Sequence, residues 1–149
     1  MNAYLNYKKF LKQNNDYLCL ENGYIVVAFY KFFQIEDILV FQKSLQLILK
    51  GSGVNGTILV AHEGVNGTIF GKVCNVSKIL NQLWLIKDLA NLEPKYSLTN
   101  KIPFFRMKVK IKKEIVSLGI NNISPNKMVG NYVKSEDWNG LIEDKNVIL

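Results

Sequence analysis

Residues Gly56–Gly71 read GTILVAHEGVNGTIFG. The stretch holds an apolar, β-branched run, a glycine- and asparagine-rich interruption, and a second short run of the same kind. Residues 56–61 favour a strand, because Thr, Ile and Val fit a pleated, half-buried surface. HEGVNG, His62 to Gly67, reads as turn chemistry: Gly64 and Gly67 tolerate positive φ, and Asn66-Gly67 favours a tight reversal. Residues 68–71 then form a short returning strand. The pattern predicts a β-hairpin at the centre of the fold.

Upstream, Tyr24–Phe33 (YIVVAFYKFF) reads as a buried strand. Asp37 follows as a helix cap or first-turn carboxylate. Ile38, Phe41, Leu45 and Ile48 then recur at helical spacing up to Gly51, which closes the helix. Downstream of the hairpin, Asn75 or Ser77 is placed to cap a second helix with Ile79, Leu80, Leu83 and Trp84 on one face. Residues 92–98 supply a fourth strand. The order strand, helix, strand, strand, helix, strand is that of the ferredoxin-like α+β sandwich, an antiparallel sheet with two helices on one face.

The chain carries more than that unit. Residues 1–23 read as an N-terminal extension, with Tyr4, Leu5, Phe10 and Leu11 on one side of a short amphipathic helix. Residues 24–98 form the ferredoxin-like domain. Residues 99–149 add an extra basic strand or hairpin and a short C-terminal helix. In residues 104–112 Met107, Val109 and Ile111 alternate strictly with Arg106, Lys108, Lys110 and Lys112, the period of a strand with one apolar and one charged face. Residues 114–118 are expected to pair with it. Ser135 has the character of an N-cap, with Glu136 and Asp137 in the first turn and Trp138, Leu141 and Ile142 on the apolar face. The closing residues Asn146-Val147-Ile148-Leu149 read as a strand cut short, so a further domain is expected beyond them.

The 149 residues suit a domain able to bury its own core. A hydrophobic fraction of 48% and a charged fraction of 21% are ordinary for a globular protein. No apolar run approaches the roughly 18 residues of a membrane-spanning helix, and the N-terminus lacks signal-peptide features, so a cytoplasmic protein with no membrane partner is expected. Cys19 and Cys74 match no metal or redox spacing and read as free thiols. The net charge is +7. Its placement is more telling than its size: Lys95, Lys101, Arg106, Lys108, Lys110, Lys112 and Lys113 occur with no acidic residue among them. The other 12 basic residues balance all 12 acidic ones. A local excess of this kind suits a polyanion.

Three features are candidates for function. The first is the cationic row Arg106, Lys108, Lys110 and Lys112, with Lys113 beside it. Alternate strand residues lie about 6.6 Å apart on one face, which lets such a row track phosphates and release counterions. Its lysine bias points to phosphate attraction rather than base readout, and backbone contact is how double-stranded RNA is mostly read. The competing interpretation is a solvated face that guards a sheet edge. The second feature is the loop with Glu63, Gly64, Asn66 and Gly67. His62 beside Glu63 has acid–base capacity, and the glycines permit close approach of an anion. The plainer interpretation is a demanding hairpin in which Glu63 accepts a local hydrogen bond. The third is the set of aromatics Phe104, Phe105, Tyr132 and Trp138, able to stack on bases but, for Trp138 and at least one Phe, better suited to core packing. No catalytic residue and no metal or cofactor site is assigned to this chain.

Several runs together resemble one family: residues 24–28 leading into Tyr30-Lys31-Phe32; residues 56–61 followed by 63–69; residues 104–110 with 112–116; Gly130-Asn131-Tyr132-Val133; and Asp137-Trp138-Asn139. The chain resembles, from about Tyr24 to Leu149, the rhodanese-related tRNA uridine hydroxylases, formerly an uncharacterised family. The resemblance implies an acylphosphatase-like or ferredoxin-like N-terminal domain, followed by a rhodanese domain with a catalytic cysteine. It implies hydroxylation of a tRNA wobble uridine with molecular oxygen. This chain departs from that pattern: neither Cys19 nor Cys74 stands in a C-x-x-G-x-R-like loop, and the resemblance reaches Leu149, where the rhodanese domain is expected to begin. The expectation is an N-terminal part that binds and positions tRNA and is inactive alone, with a rhodanese domain supplied in cis or from an adjacent reading frame. Two other readings are an acylphosphatase-like hydrolase, which needs an arginine cradle near the first helix, and an interaction module docking an acidic protein.

Overall fold

In the computed structural model, residues 23–99, 101–117 and 133–146 are described. Among the described residues, five strands and three α-helices follow in the order β1 (Tyr24–Phe32), α1 (Ile38–Leu49), β2 (Asn55–Ala61), β3 (Gly64–Lys72), α2 (Val73–Leu85), β4 (Lys95–Leu98), β5 (Met107–Ile111) and α3 (Trp138–Glu143). The sheet order is β4-β1-β3-β2-β5. Pairings β1–β3, β1–β4 and β2–β3 are antiparallel. The first four strands thus have the ferredoxin-like arrangement, and the chain is an α+β sandwich. The fifth strand joins β2 in parallel, making the sheet mixed. Its connection from β4 carries the chain from one edge of the sheet to the other.

Alternation along each strand decides what is buried. Ile25, Val27 and Phe29 of β1, Ile58 and Val60 of β2, and Val65 and Ile69 of β3 point to the helices and form one cluster with Leu45, Leu49, Val76, Ile79, Leu80, Leu83 and Trp84. Each such side chain contributes about 1.5–3 kcal/mol of transfer free energy. Both helices pack on this one face. Helix α1 begins as expected: Asp37 Oδ1 accepts the Val40 N–H at 2.9 Å, and Gly51 at φ 67° follows its last residues. The expected apolar faces are also observed, with Trp84 donating its indole N–H to the Leu92 carbonyl at 2.9 Å.

Several expectations are corrected. Helix α2 starts at Val73, and its cap, Lys72, makes no side-chain cap bond; Asn75 and Ser77 lie inside the helix. The chain after β3 enters the helix directly because Val73 and Val76 are drawn into the core, and burial overrides capping preference. Residues 64–67 belong to β3, not to a turn, and the reversal is made by His62 and Glu63 alone. The basic strand forms no hairpin: Glu114–Ser117 has no strand geometry, and β5 finds its partner in β2. Ser135 caps nothing, since residues 135–137 are a 3-10 turn without a side-chain cap bond. Trp138, 45% exposed, is not a core residue. The N-terminal extension, Cys19, Leu118, Tyr132 and the closing run from Val147 lie outside the described residues. Among the described residues no helix is long and apolar enough to cross a membrane.

Candidate nucleic-acid interface

Strand β5 is the sheet edge beside β2. Met107 and Val109 pack against the core. Alternation therefore sends Lys108 and Lys110 to the opposite side, away from the helices. Backbone pairing runs past both ends of the strand: the Gly56 N–H donates to the Arg106 carbonyl at 3.2 Å, and the Lys112 N–H donates to the Val60 carbonyl at 2.8 Å. Arg106, Lys110 and Lys112 are exposed, and Lys108 is half-buried. From α1, Gln42 Nε2 donates to the Val109 carbonyl at 2.9 Å and ties the strand down. Four of the five predicted cations are thus held on one continuous segment of paired backbone. Lys113 lies beyond that pairing. The ion pair between Lys134 and Glu136, 3.9 Å, lies outside this segment.

The second candidate, the HEGVNG stretch, sits at the far end of β2 and reaches the ladder's C-terminal side. Glu63 Oε1 accepts the Ile115 N–H at 2.7 Å, and Asn66 Nδ2 donates to the Ile115 carbonyl at 2.9 Å. Ile115 is buried. The two polar side chains therefore clamp the chain that leaves β5. The His62 Nδ1–H donates to the Ile35 carbonyl at 2.8 Å. Gly64 has φ 146°, and a Cβ there would strike the Lys31 carbonyl. Glu63, Gly64, Asn66 and Gly67 are brought to the C-terminal end of the ladder, where Glu63 and Asn66 both bond the Ile115 backbone.

The remaining candidates scatter. Phe105 is 88% exposed just before β5, and Phe104 is half-buried. Arg106, the sole arginine of the chain, pairs with Gly56 at the start of β2, whereas α1 begins beyond the opposite end of the sheet. It forms no cradle for an acyl phosphate at the first helix. Cys74 is a free, exposed thiol. Among the described residues no group of His, Cys, Asp and Glu has metal-binding geometry.

The model of the UPF0176 acylphosphatase-like domain matches residues 24–115. The chain belongs to this family. The match opens on β1 and closes on Ile115, the residue held by Glu63 and Asn66, so it takes in β5 as part of the acylphosphatase-like domain. Curated relatives include the tRNA uridine(34) hydroxylase of Rhizobium leguminosarum bv. trifolii (strain WSM2304), 43% identical over 134 residues, or 90% of this chain and 43% of the relative. The protein of the same name from Acaryochloris marina (strain MBIC 11017) is 43% identical over 126 residues, 85% of this chain and 41% of the relative. The chain spans about two fifths of the length of these relatives. Among solved structures it is similar to an acylphosphatase from Coxiella burnetii, with TM-score 0.40 and 12% identity over 60% of this chain and 94% of that one.

Sequence reading misses the face of the acylphosphatase-like sheet that points away from α1 and α2. YIVVAFYKF reads as buried throughout, yet Tyr24 and Tyr30 are 44% and 50% exposed. Tyr24 stacks on Phe70 at 5.3 Å between ring centroids, and Tyr30 meets Phe32 edge-on at 6.2 Å. A signal is present: Tyr24, Val26, Ala28 and Tyr30 alternate with Ile25, Val27 and Phe29, the larger apolar set pointing inward.

Proposed function

We propose that this domain binds and positions tRNA for uridine hydroxylation, gripping the RNA backbone through Arg106, Lys108, Lys110 and Lys112. The observation that carries this reading is the placement of four cations along one paired edge segment, within a family whose curated relatives are named tRNA uridine(34) hydroxylases. Lysine-rich rows supply non-directional attraction to phosphate and release counterions on binding. The hydroxylation itself, with molecular oxygen as co-substrate, belongs in this reading to a rhodanese domain in cis or from an adjacent reading frame. The Glu63–Asn66 clamp fixes the segment that leaves the ladder, which sets the path toward that domain.

The test is tRNA binding across a salt series. Replacing Lys108, Lys110 and Lys112 by Ala should weaken binding and flatten the dependence of log affinity on log salt, by about 0.7–0.9 for each phosphate that the row no longer neutralises. An unchanged slope rejects the ladder. Tighter binding to an acidic polypeptide than to tRNA would instead favour a protein-docking module.

A further inference from the structure

We propose that a short unpaired RNA segment crosses the open face of the sheet, between Lys95 and Lys108, with one base stacked on Tyr30. The inference rests on the RNA-binding reading and names a site on the protein that reading lacks. It follows from the register. Lys95 pairs with Ala28, Ala28 with Thr68, Thr68 with Thr57 and Thr57 with Lys108. All five lie in one row, and by alternation all five point away from the helices. A cation therefore stands on each edge strand, and three small side chains form the floor between them.

Four inter-strand steps of about 4.8 Å make this row about 19 Å wide. That is the reach of about three nucleotides at a phosphate spacing of about 6–7 Å, comparable to alternate residues on a strand. The next row is Tyr30, Asn66, Leu59 and Lys110. Tyr30 thus stands beside the floor and half-exposed. Asn66 is engaged with Ile115, which walls this row at its centre. On the other side Tyr24, stacked on Phe70, bounds the floor. A cavity of about 200 Å³ opens between Tyr30, Asn66, Lys95, Glu93 and Ala28, and one of about 380 Å³ lies on the other flank of Tyr30, reaching Phe32, Glu93 and Pro94.

The charge layout selects the occupant. Cations at both ends of the row suit a chain with a phosphate at each end; Glu93, beside Lys95 and Tyr30, repels a further phosphate there, and the exposed ring suits a planar base. A duplex has no free base to offer Tyr30, and its curvature lifts it off a flat floor. Unpaired bases stack on aromatic side chains with little sequence preference, while lysines follow the backbone.

The test uses the full chain and a labelled uridine-rich hexaribonucleotide, with an RNA duplex of equal length as control. Tyr30→Leu should weaken hexamer binding about tenfold and leave duplex binding unchanged. Tyr30→Phe, which keeps the ring, should bind the hexamer nearly as wild type. Lys95→Ala, at an exposed position, provides a second variant whose folding is not in question, and it should lower the hexamer's salt slope by about 0.7. Wild-type affinity for the hexamer in both Tyr30→Leu and Lys95→Ala overturns the proposal, as does equal wild-type affinity for hexamer and duplex. The outcome is separate from the ladder's: a flattened tRNA salt slope in the ladder variant, with wild-type hexamer binding in both Tyr30→Leu and Lys95→Ala, would overturn the stacking site and leave the backbone grip standing.

Discussion

Glu63 holds Ile115: the carboxylate Oε1 lies 2.7 Å from the Ile115 N–H across fifty-two positions of sequence. Asn66 takes the carbonyl of the same residue. A motif with the composition of a turn is therefore also a clamp on the end of the ladder. Removing the acceptor leaves a part-buried N–H without its partner, at about 1–3 kcal/mol. Glu63→Ala should lose that much in chemical denaturation, and Glu63→Gln, which keeps an oxygen acceptor, should lose less. Trypsin reports the local effect: cleavage after Lys112 and Lys113 should speed up in Glu63→Ala more than the global loss explains.

Gly67 faces Phe29 across the β1–β3 pair. A Cβ at this position would meet the Phe29 ring carbons at 2.6 and 2.8 Å and Ile58 at 3.1 Å. Gly67→Ala should cost about 1–3 kcal/mol through overpacking. Combining it with Phe29→Leu should cost less than the sum of the two single changes, because the smaller side chain makes room. Strict additivity in the double-mutant cycle would refute the close approach as the cause.

Gln42 links helix to edge strand. Its Nε2 bond to the Val109 carbonyl is a side-chain anchor from α1 onto β5. Gln42→Leu should reduce stability by about 1 kcal/mol. Hydrogen exchange should rise at residues 107–111 and stay near wild type in β1, because the edge strand opens locally before the sheet does. Uniform acceleration across the sheet would show that the bond serves the whole fold instead.

Asp37 is a simpler case. Its carboxylate accepts the Val40 N–H at 2.9 Å at the start of α1. Asp37→Ala should cost about 1 kcal/mol, and Asp37→Asn, also a good cap, only a fraction of that. Thermal denaturation of the two variants checks the order.

What is legible in the sequence follows from local physics. Asp37 is legible as a cap because capping needs only its own side chain and the next turn. The charged ladder is legible because a period of two over residues 106–112 admits one backbone geometry. The partner of that strand is not. Residues 114–117 are the nearest candidates, yet β5 pairs with β2, some fifty residues earlier, and periodicity carries no information about pairing. The same limit hides the role of Glu63 and Asn66. In the sequence Gly67 reads as a residue chosen for its backbone freedom; in the fold its lack of a side chain is what Phe29 requires. Size alone assigns Trp138 to the core, and the described structure leaves it 45% exposed. The open sheet face escapes because an apolar strand with tyrosines in alternate positions shows its hydrophobicity more readily than its phase.

The placement of β5 at a sheet edge also has a kinetic meaning. Of the seven cations of residues 95–113, Arg106, Lys108, Lys110, Lys112 and Lys113 lie on or directly beside β5, so positive charge is concentrated toward that edge while Lys95 stands on the opposite one. A polyanion diffusing toward it is turned to face that side before touching it. Steering of this kind raises encounter rates by about 10–10³ and fades as ionic strength rises, because the field extends only about 8 Å at physiological salt. The domain would then orient its cargo during approach, ahead of any specific bond.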